Sequence, residues 1–144
     1  MSIIRKMRES DRECVMEMMS VFYASEAVAT NGSEEIFEKD ITECISDSPY
    51  AEGYVFEKNG ETVGYAMLAK SFSTEYGKKC IWIEDIYIKD EFRGMGIGSR
   101  FFDYLKESYP TALLRLEVEE ENKRALGVYQ KNGFDFMPYL EMKK

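Results

Sequence analysis

The junction between residues 80 and 108 most constrains what this chain can fold into. Residues 80–88 are apolar on both alternating faces apart from Glu84 and Asp85, which fits a central strand covered on both sides. Arg93-Gly94-Met95-Gly96-Ile97-Gly98 follows. Ile97, Phe101 and Leu105 then recur at helical spacing, predicting a helix over 97–108 that stops at Pro110. A strand, a glycine-rich turn and a helix N-terminus together make an anion site, because glycines admit close backbone approach and the first helical N–H groups lack partners. Arg93 adds a planar cationic fork suited to phosphate oxygens. A dinucleotide fingerprint needs G-x-G-x-x-G in the first strand–helix turn; here the spacing is G-x-G-x-G and the loop lies late in the chain. A P-loop needs Gly-Lys-Ser/Thr, and Gly98-Ser99-Arg100 lacks it. A purely structural glycine turn is the bland reading.

The remaining elements follow from local signals. Residues 2–7 read as a first strand. Ser10-Asp11-Arg12-Glu13 has the S-x-x-E capping pattern, and Val15, Met18, Met19 and Phe22 predict a helix over about 11–23. Asn31-Gly32 breaks the chain, and Ser33 caps a second helix whose buried face is Phe37, Ile41, Cys44 and Ile45. Tyr54-Val55-Phe56 and Val63 through Ala69 flank Asn59-Gly60, a hairpin signal. Leu113 to Val118 is a further strand, and Asn122 caps a helix that ends near Asn132-Gly133. Phe134-Asp135-Phe136 and Tyr139-Leu140-Glu141-Met142 read as closing strands. The predicted order is β-α-α-β-β-β-α-β-α-β-β, a mixed sheet with helices on its faces, hence α/β or α+β.

The 144 residues fit one domain spanning 1–144, with no linker, repeat or low-complexity segment. Nucleic-acid binding through a general basic surface is excluded by the net charge of −8, which favours either simple solubility or a cationic substrate. The apolar runs are too short to cross a bilayer and the N-terminal residues have no signal-peptide core, so no membrane partner is expected. Cys14, Cys44 and Cys80 show no paired spacing, which fits free thiols in a reducing cytoplasm. Histidine is absent, which removes His-based nucleophile pairs and His-ligated metal sites, and no metal is expected. Catalysis then falls to Glu, Asp, Tyr, Lys, Cys or water. Cys80 has no base near it in sequence that would make it a nucleophile.

The sequence resembles the GNAT superfamily of acyl-CoA-dependent N-acetyltransferases. The family's R/Q-x-x-G-x-G/A motif is Arg93 to Gly98 here. Its downstream motif is matched by Leu114, Leu116, Val118, Asn122, Ala125, Tyr129, Gly133 and Phe134. A weaker resemblance joins Trp82-Ile83-Glu84-Asp85-Ile86-Tyr87-Ile88 and Phe92-Arg93-Gly94 to the diamine (spermidine/spermine) N-acetyltransferase branch. The resemblance implies a mostly antiparallel central sheet with helices on both faces. It implies acetyl-CoA as cofactor, with CoA as product. The backbone of Ile86, Tyr87 and Ile88 would hold the pantetheine arm, and Arg93, Gly94, Met95, Gly96, Ile97, Gly98 and Ser99 the pyrophosphate. Asn122, first of all a helix cap, would lie near the arm. Arg100, Lys123 and Arg124 either assist or are solvated surface charges.

An amine acceptor is mostly protonated near neutral pH, so a group must take its proton before it attacks a thioester. Adjacent strand residues point to opposite faces, so Glu84 and Asp85 are expected in different environments. By resemblance Glu84 is the base, through water, and Asp85 a substrate contact; the alternative is structural carboxylates. Tyr129 is by resemblance the acid that protonates the departing thiolate, and otherwise a core aromatic beside Leu126 and Val128. Tyr23 and Glu26 are substrate-pocket candidates by analogy with the diamine branch. Glu117, Glu119, Glu120 and Glu121 form either a solvated face or an attractor for a polyamine. The expected function is acetyl transfer from acetyl-CoA to a primary amine, with a small cationic amine favoured by the acidic balance. The alternatives are a protein or peptide amine, a non-catalytic acyl-CoA-binding or sensing module, and a nucleotide-binding protein. The family and the apolar C-terminal segments admit a homodimer.

Overall fold

The structure is a computed structural model that describes residues 2–25, 27–28 and 32–144. Five strands, β1 (Ser2–Lys6), β2 (Ala51–Lys58), β3 (Glu61–Ser73), β4 (Lys78–Ile88) and β5 (Leu113–Leu116), lie in the order β1-β2-β3-β4-β5. The first four pair antiparallel, and β4 pairs parallel with β5. Helices α1 (Arg12–Tyr23) and α2 (Glu34–Ile45) cover one face, where Val15, Met19, Phe37 and Ile41 meet Val55, Tyr65 and Tyr87. Helix α3 (Ile97–Ser108) covers the other, where Ile97, Phe101, Phe102 and Leu105 meet Phe56, Leu68, Ile81 and Ile83. Tyr129 of α4 (Lys123–Lys131) packs beside this second core. Truncating a fully buried ring such as Phe101 to alanine costs about 3–5 kcal/mol.

Turn and cap chemistry set the boundaries. Asn59 and Gly60 both take positive φ, 52° and 79°, as a tight hairpin between β2 and β3 requires. Ser33 Oγ accepts from the Ile36 amide at 3.3 Å, and Asn122 Oδ1 from the Ala125 amide at 3.3 Å, so both predicted caps form. The start of α1 differs from the S-x-x-E expectation. A short 3-10 turn (Glu9–Asp11) precedes it, and Asp11 rather than Ser10 supplies the acceptor, to the Arg8 amide at 2.8 Å. Asp11 is fixed there by a two-pronged pair with Arg5, each bond 2.8 Å.

The element order agrees with expectation through α4. The predicted closing strands do not form: residues 134–144 carry no strand, and β5 ends at Leu116 rather than Val118. Leu140 and Met142 are almost fully exposed, so at these positions the apolar alternation that suggested strands meets no packing surface among the described residues. A strand needs a ladder partner as well as an alternating sequence.

Candidate active site

A bulge in β4 organises the site. Leu68 pairs with Ile83 and Met67 with Asp85, so Glu84 is an extra residue opposite no β3 partner. The bulge shifts the side-chain phase. Ile81 and Ile83 face the α3 core before it, and Ile86 and Ile88 face that core after it. Asp85 and Tyr87 thereby turn to the α1/α2 face. Strict alternation would have sent Asp85 the other way, beside Ile83. Glu84 emerges exposed at the bend while Asp85 is only 4% exposed.

Asp85 is held by two phenols. Tyr65 of β3 donates to Oδ2 at 2.7 Å, and Tyr23 from the last turn of α1 donates to Oδ1 at 2.9 Å. Among the described residues no cation pairs with it. Burial pushes its pKa up to about 6, against the two phenol hydrogen bonds that lower it, while the carboxylates of Asp40 and Glu84 add to the rise. Glu84 is shifted upward too, first by partial desolvation, then by Glu141 and Asp40. Glu117 is raised by its hydrogen bond to Glu141, by burial, and by the charges of Glu141 and Glu84. Asp40, Glu84, Asp85, Glu117 and Glu141 thus form one field of negative charge, drawn from α2, β4, the residue just after β5 and the C-terminal segment.

The same bulge opens the sheet. The β4–β5 ladder ends where Ile83 meets Leu116. Beyond it, residues 85–88 of β4 stay paired with β3 but have no strand partner on their other edge among the described residues. Unpaired backbone groups on this edge can bind an extended amide-bearing arm. Ile86 and Ile88 direct their side chains to the α3 core and Tyr87 is buried opposite, so only their backbone groups can serve an arm.

At the end of this edge stands the glycine loop. Gly94 and Gly96 take φ of 78° and 80°, and the space beside both is open. The first helical bond of α3 runs from the Arg100 amide to the Gly96 carbonyl, leaving the amides of Ile97, Gly98 and Ser99 without helical acceptors. Ile97 is buried, Met95 exposed, and Ser99 Oγ accepts from Asn132 Nδ2 at 3.0 Å, tying α4 to α3. Arg93 is placed differently from a free phosphate fork. Its Nε donates to the Ile88 carbonyl at 2.8 Å, its terminal nitrogen pairs with Asp90, and its guanidinium sits 5.6 Å from the Tyr87 ring centroid. It braces the loop against β4. The open glycine corner, the free amides and the parted strands all fit a pyrophosphate with an extended arm.

Tyr129 packs its ring edge-on against Phe102 and Phe134, with centroids 6.0 and 6.1 Å away, at the margin of the α3 core. Burial raises its pKa, so it holds its proton at neutral pH. Glu26 lies outside the described residues. Two other concavities, of about 290 and 450 Å³, are lined around Glu52 and around Arg100; neither includes Glu84, Asp85 or Tyr129. Sequence reasoning missed Tyr65, Asp40 and Glu141, since no motif ties a tyrosine or carboxylate on one element to a carboxylate on another.

The family model of the acetyltransferase (GNAT) family matches residues 15–134. The chain belongs to the GNAT family. A GNAT relative, the thialysine N-epsilon-acetyltransferase of Bos taurus, is 42% identical over 74 residues, 49% of this chain and 43% of that protein. The chain therefore matches less than half the length of that relative. The spermine/spermidine N(1)-acetyltransferase of Bacillus subtilis is 27% identical over 115 residues, 76% of this chain and 73% of that protein. Among solved GNAT structures, the aminoglycoside N-acetyltransferase AAC(6')-Iy with CoA superposes with a TM-score of 0.81 at 13% identity, covering 100% of this chain and 94% of that one. At that identity the likeness shows the fold alone.

Proposed function

We propose that this chain transfers an acetyl group from acetyl-CoA to the primary amine of a small cationic acceptor. The observation that carries the reading is the bulge at Glu84, which places two carboxylates of raised pKa where β4 parts from β5 and leads into an open glycine corner. When bound, acetyl-CoA supplies a thioester carbonyl for the amine to attack and a thiolate to leave. The free amides of Ile97, Gly98 and Ser99, with the loop braced by Arg93, hold the pyrophosphate, and the β4 edge at Ile86 to Ile88 holds the arm. Asn122 fixes the start of α4.

Glu84 receives the amine proton through water. Its raised pKa brings it closer to the working pH of a general base. Tyr129 delivers a proton to the thiolate; burial keeps the phenol protonated until a stronger base appears. Asp85, held by Tyr23 and Tyr65, supplies fixed negative charge that draws the ammonium toward the bend. The relatives named for thialysine and for spermine/spermidine support an amine acceptor. The reading includes a cytoplasmic setting for the free thiols of Cys14, Cys44 and Cys80. It also includes a homodimer that covers the exposed Phe136, Leu140 and Met142, tested by sedimentation.

The test is thiol release from acetyl-CoA with amine acceptors, alongside a CoA titration. Amine-dependent release supports transfer. CoA binding without release from any amine favours an acyl-CoA-binding module, and tighter binding of NAD or ATP overturns the cofactor assignment. Preference for peptide amines replaces the small acceptor with a protein one.

A further inference from the structure

Trp82 and Arg115 are cross-strand partners in the short parallel ladder between β4 and β5. Their neighbours Ile81, Ile83, Leu114 and Leu116 point into the α3 core, so this pair shares the opposite face, the one that carries Asp85. The guanidinium carbon of Arg115 lies 4.4 Å from the Trp82 ring centroid. Its Nε is wholly buried with no hydrogen-bond partner, and among the described residues no carboxylate pairs with it. Arg5, Arg12 and Arg93 are each ion-paired. In a chain with 27 acidic residues against 19 basic ones, an unpaired and partly desolvated arginine on the acceptor face is a donor set without its acceptor.

We infer that Arg115, held over the Trp82 ring, binds a carboxylate of the acceptor. The inference rests on the acetyltransferase reading and narrows its substrate class to a free amino acid with a terminal side-chain amine. Guanidinium and carboxylate match as planar groups with two parallel hydrogen bonds, and stacking on an indole fixes the plane of the fork. Trp82 and Glu84 are two residues apart on one strand, about 7 Å. An acceptor that reaches both carries its ammonium and its carboxylate at opposite ends of a short aliphatic chain, as lysine does. The ammonium faces Glu84 and Asp85, and the carboxylate faces Arg115. A polyamine satisfies the acidic end and leaves Arg115 as it is.

The experiment compares L-lysine with cadaverine, the same chain without the carboxylate, as acceptors in acetyl-CoA thiol release. It uses the wild type, Arg115→Gln and Arg115→Lys. The wild type is expected to prefer lysine in kcat/KM by about 10- to 100-fold, the range of a charge-assisted bond. Arg115→Gln is expected to collapse that ratio toward one through the KM for lysine, and Arg115→Lys to restore part of it. Equal use of lysine and cadaverine by the wild type overturns the inference. So do equal losses on both acceptors in Arg115→Gln, which is the mark of a packing role. A peptide ending in lysine that outcompetes free lysine assigns the carboxylate to a polypeptide terminus and overturns the free amino acid. If no amine gives release, the acetyltransferase reading fails, and calorimetric titration of lysine into the CoA-saturated protein still decides the subsite. Binding lost in Arg115→Gln supports it, and no binding overturns it.

Discussion

The Tyr65 phenol reaches from β3 to the residue just past the bulge in β4, donating to Asp85 Oδ2 at 2.7 Å inside the protein. Tyr65 is wholly buried, so this bond is made without competing water. It helps hold a carboxylate where burial alone would neutralise it.

That position makes stability depend on pH. Burial raises the folded pKa of Asp85 to about 6 from 3.8, so the folded state holds this proton more tightly than the unfolded chain. The contribution is full below about pH 4 and is lost as pH rises through about 6, amounting to about 3 kcal/mol. Urea titrations of wild type and Asp85→Asn at pH 4 and pH 7 read it. The wild type is expected to lose stability relative to the variant over this interval, and a constant difference would contradict the burial argument.

Asp11 works in the opposite sense. Its hydrogen bonds to Arg5 hold its pKa below the usual carboxylate range, so its contribution is present above about pH 4 and lost as pH falls through the lowered value. Asp11→Ala removes two of the hydrogen bonds of Arg5, which keeps its pair with Glu57, and uncaps the turn before α1, costing about 2 kcal/mol at pH 7. Denaturant midpoints of the two proteins should converge on acidification.

Much of this fold was legible in the sequence. The Asn59-Gly60 hairpin, the Ser33 and Asn122 caps and the 97–108 helix each rest on local chemistry, and each is present. The β4 bulge was not legible, because one extra residue in a ladder is set by pairing with β3 and leaves no mark in composition. The adjacent pair Glu84-Asp85 read as two faces of a regular strand; the bulge instead exposes Glu84 and buries Asp85. The closing strands failed for a related reason. Alternation at 134–142 describes what the chain can do when a partner edge is present, and no such edge meets it among the described residues. Arg93 carries the motif as read, yet its side chain is spent on Ile88 and Asp90, a local geometry that residue type alone leaves open.

Loop shape should govern cofactor affinity. Gly96→Ala forces a side chain to φ of 80°, at a cost of about 1–2 kcal/mol. Arg93→Ala releases the brace on the Ile88 carbonyl. Both are expected to weaken CoA binding in a calorimetric titration, by roughly 10-fold for a term of this size. Unaltered dissociation constants would remove the loop from the cofactor site.

Proton transfer should separate from binding. Glu84→Gln and Tyr129→Phe each delete one transfer while keeping shape, and Tyr129→Phe keeps the ring contacts with Phe102 and Phe134. Turnover is expected to fall by about 10²- to 10⁴-fold with CoA affinity nearly intact. Full turnover in either variant would strip that residue of its role.

The most direct measurement is thiol release from acetyl-CoA by the unmodified protein against a panel of amino acids, polyamines, aminoglycosides and short peptides. The account predicts release that depends on a small acceptor bearing a primary amine and rises as that amine's proton becomes easier to remove. CoA binding with no release from any amine would contradict it.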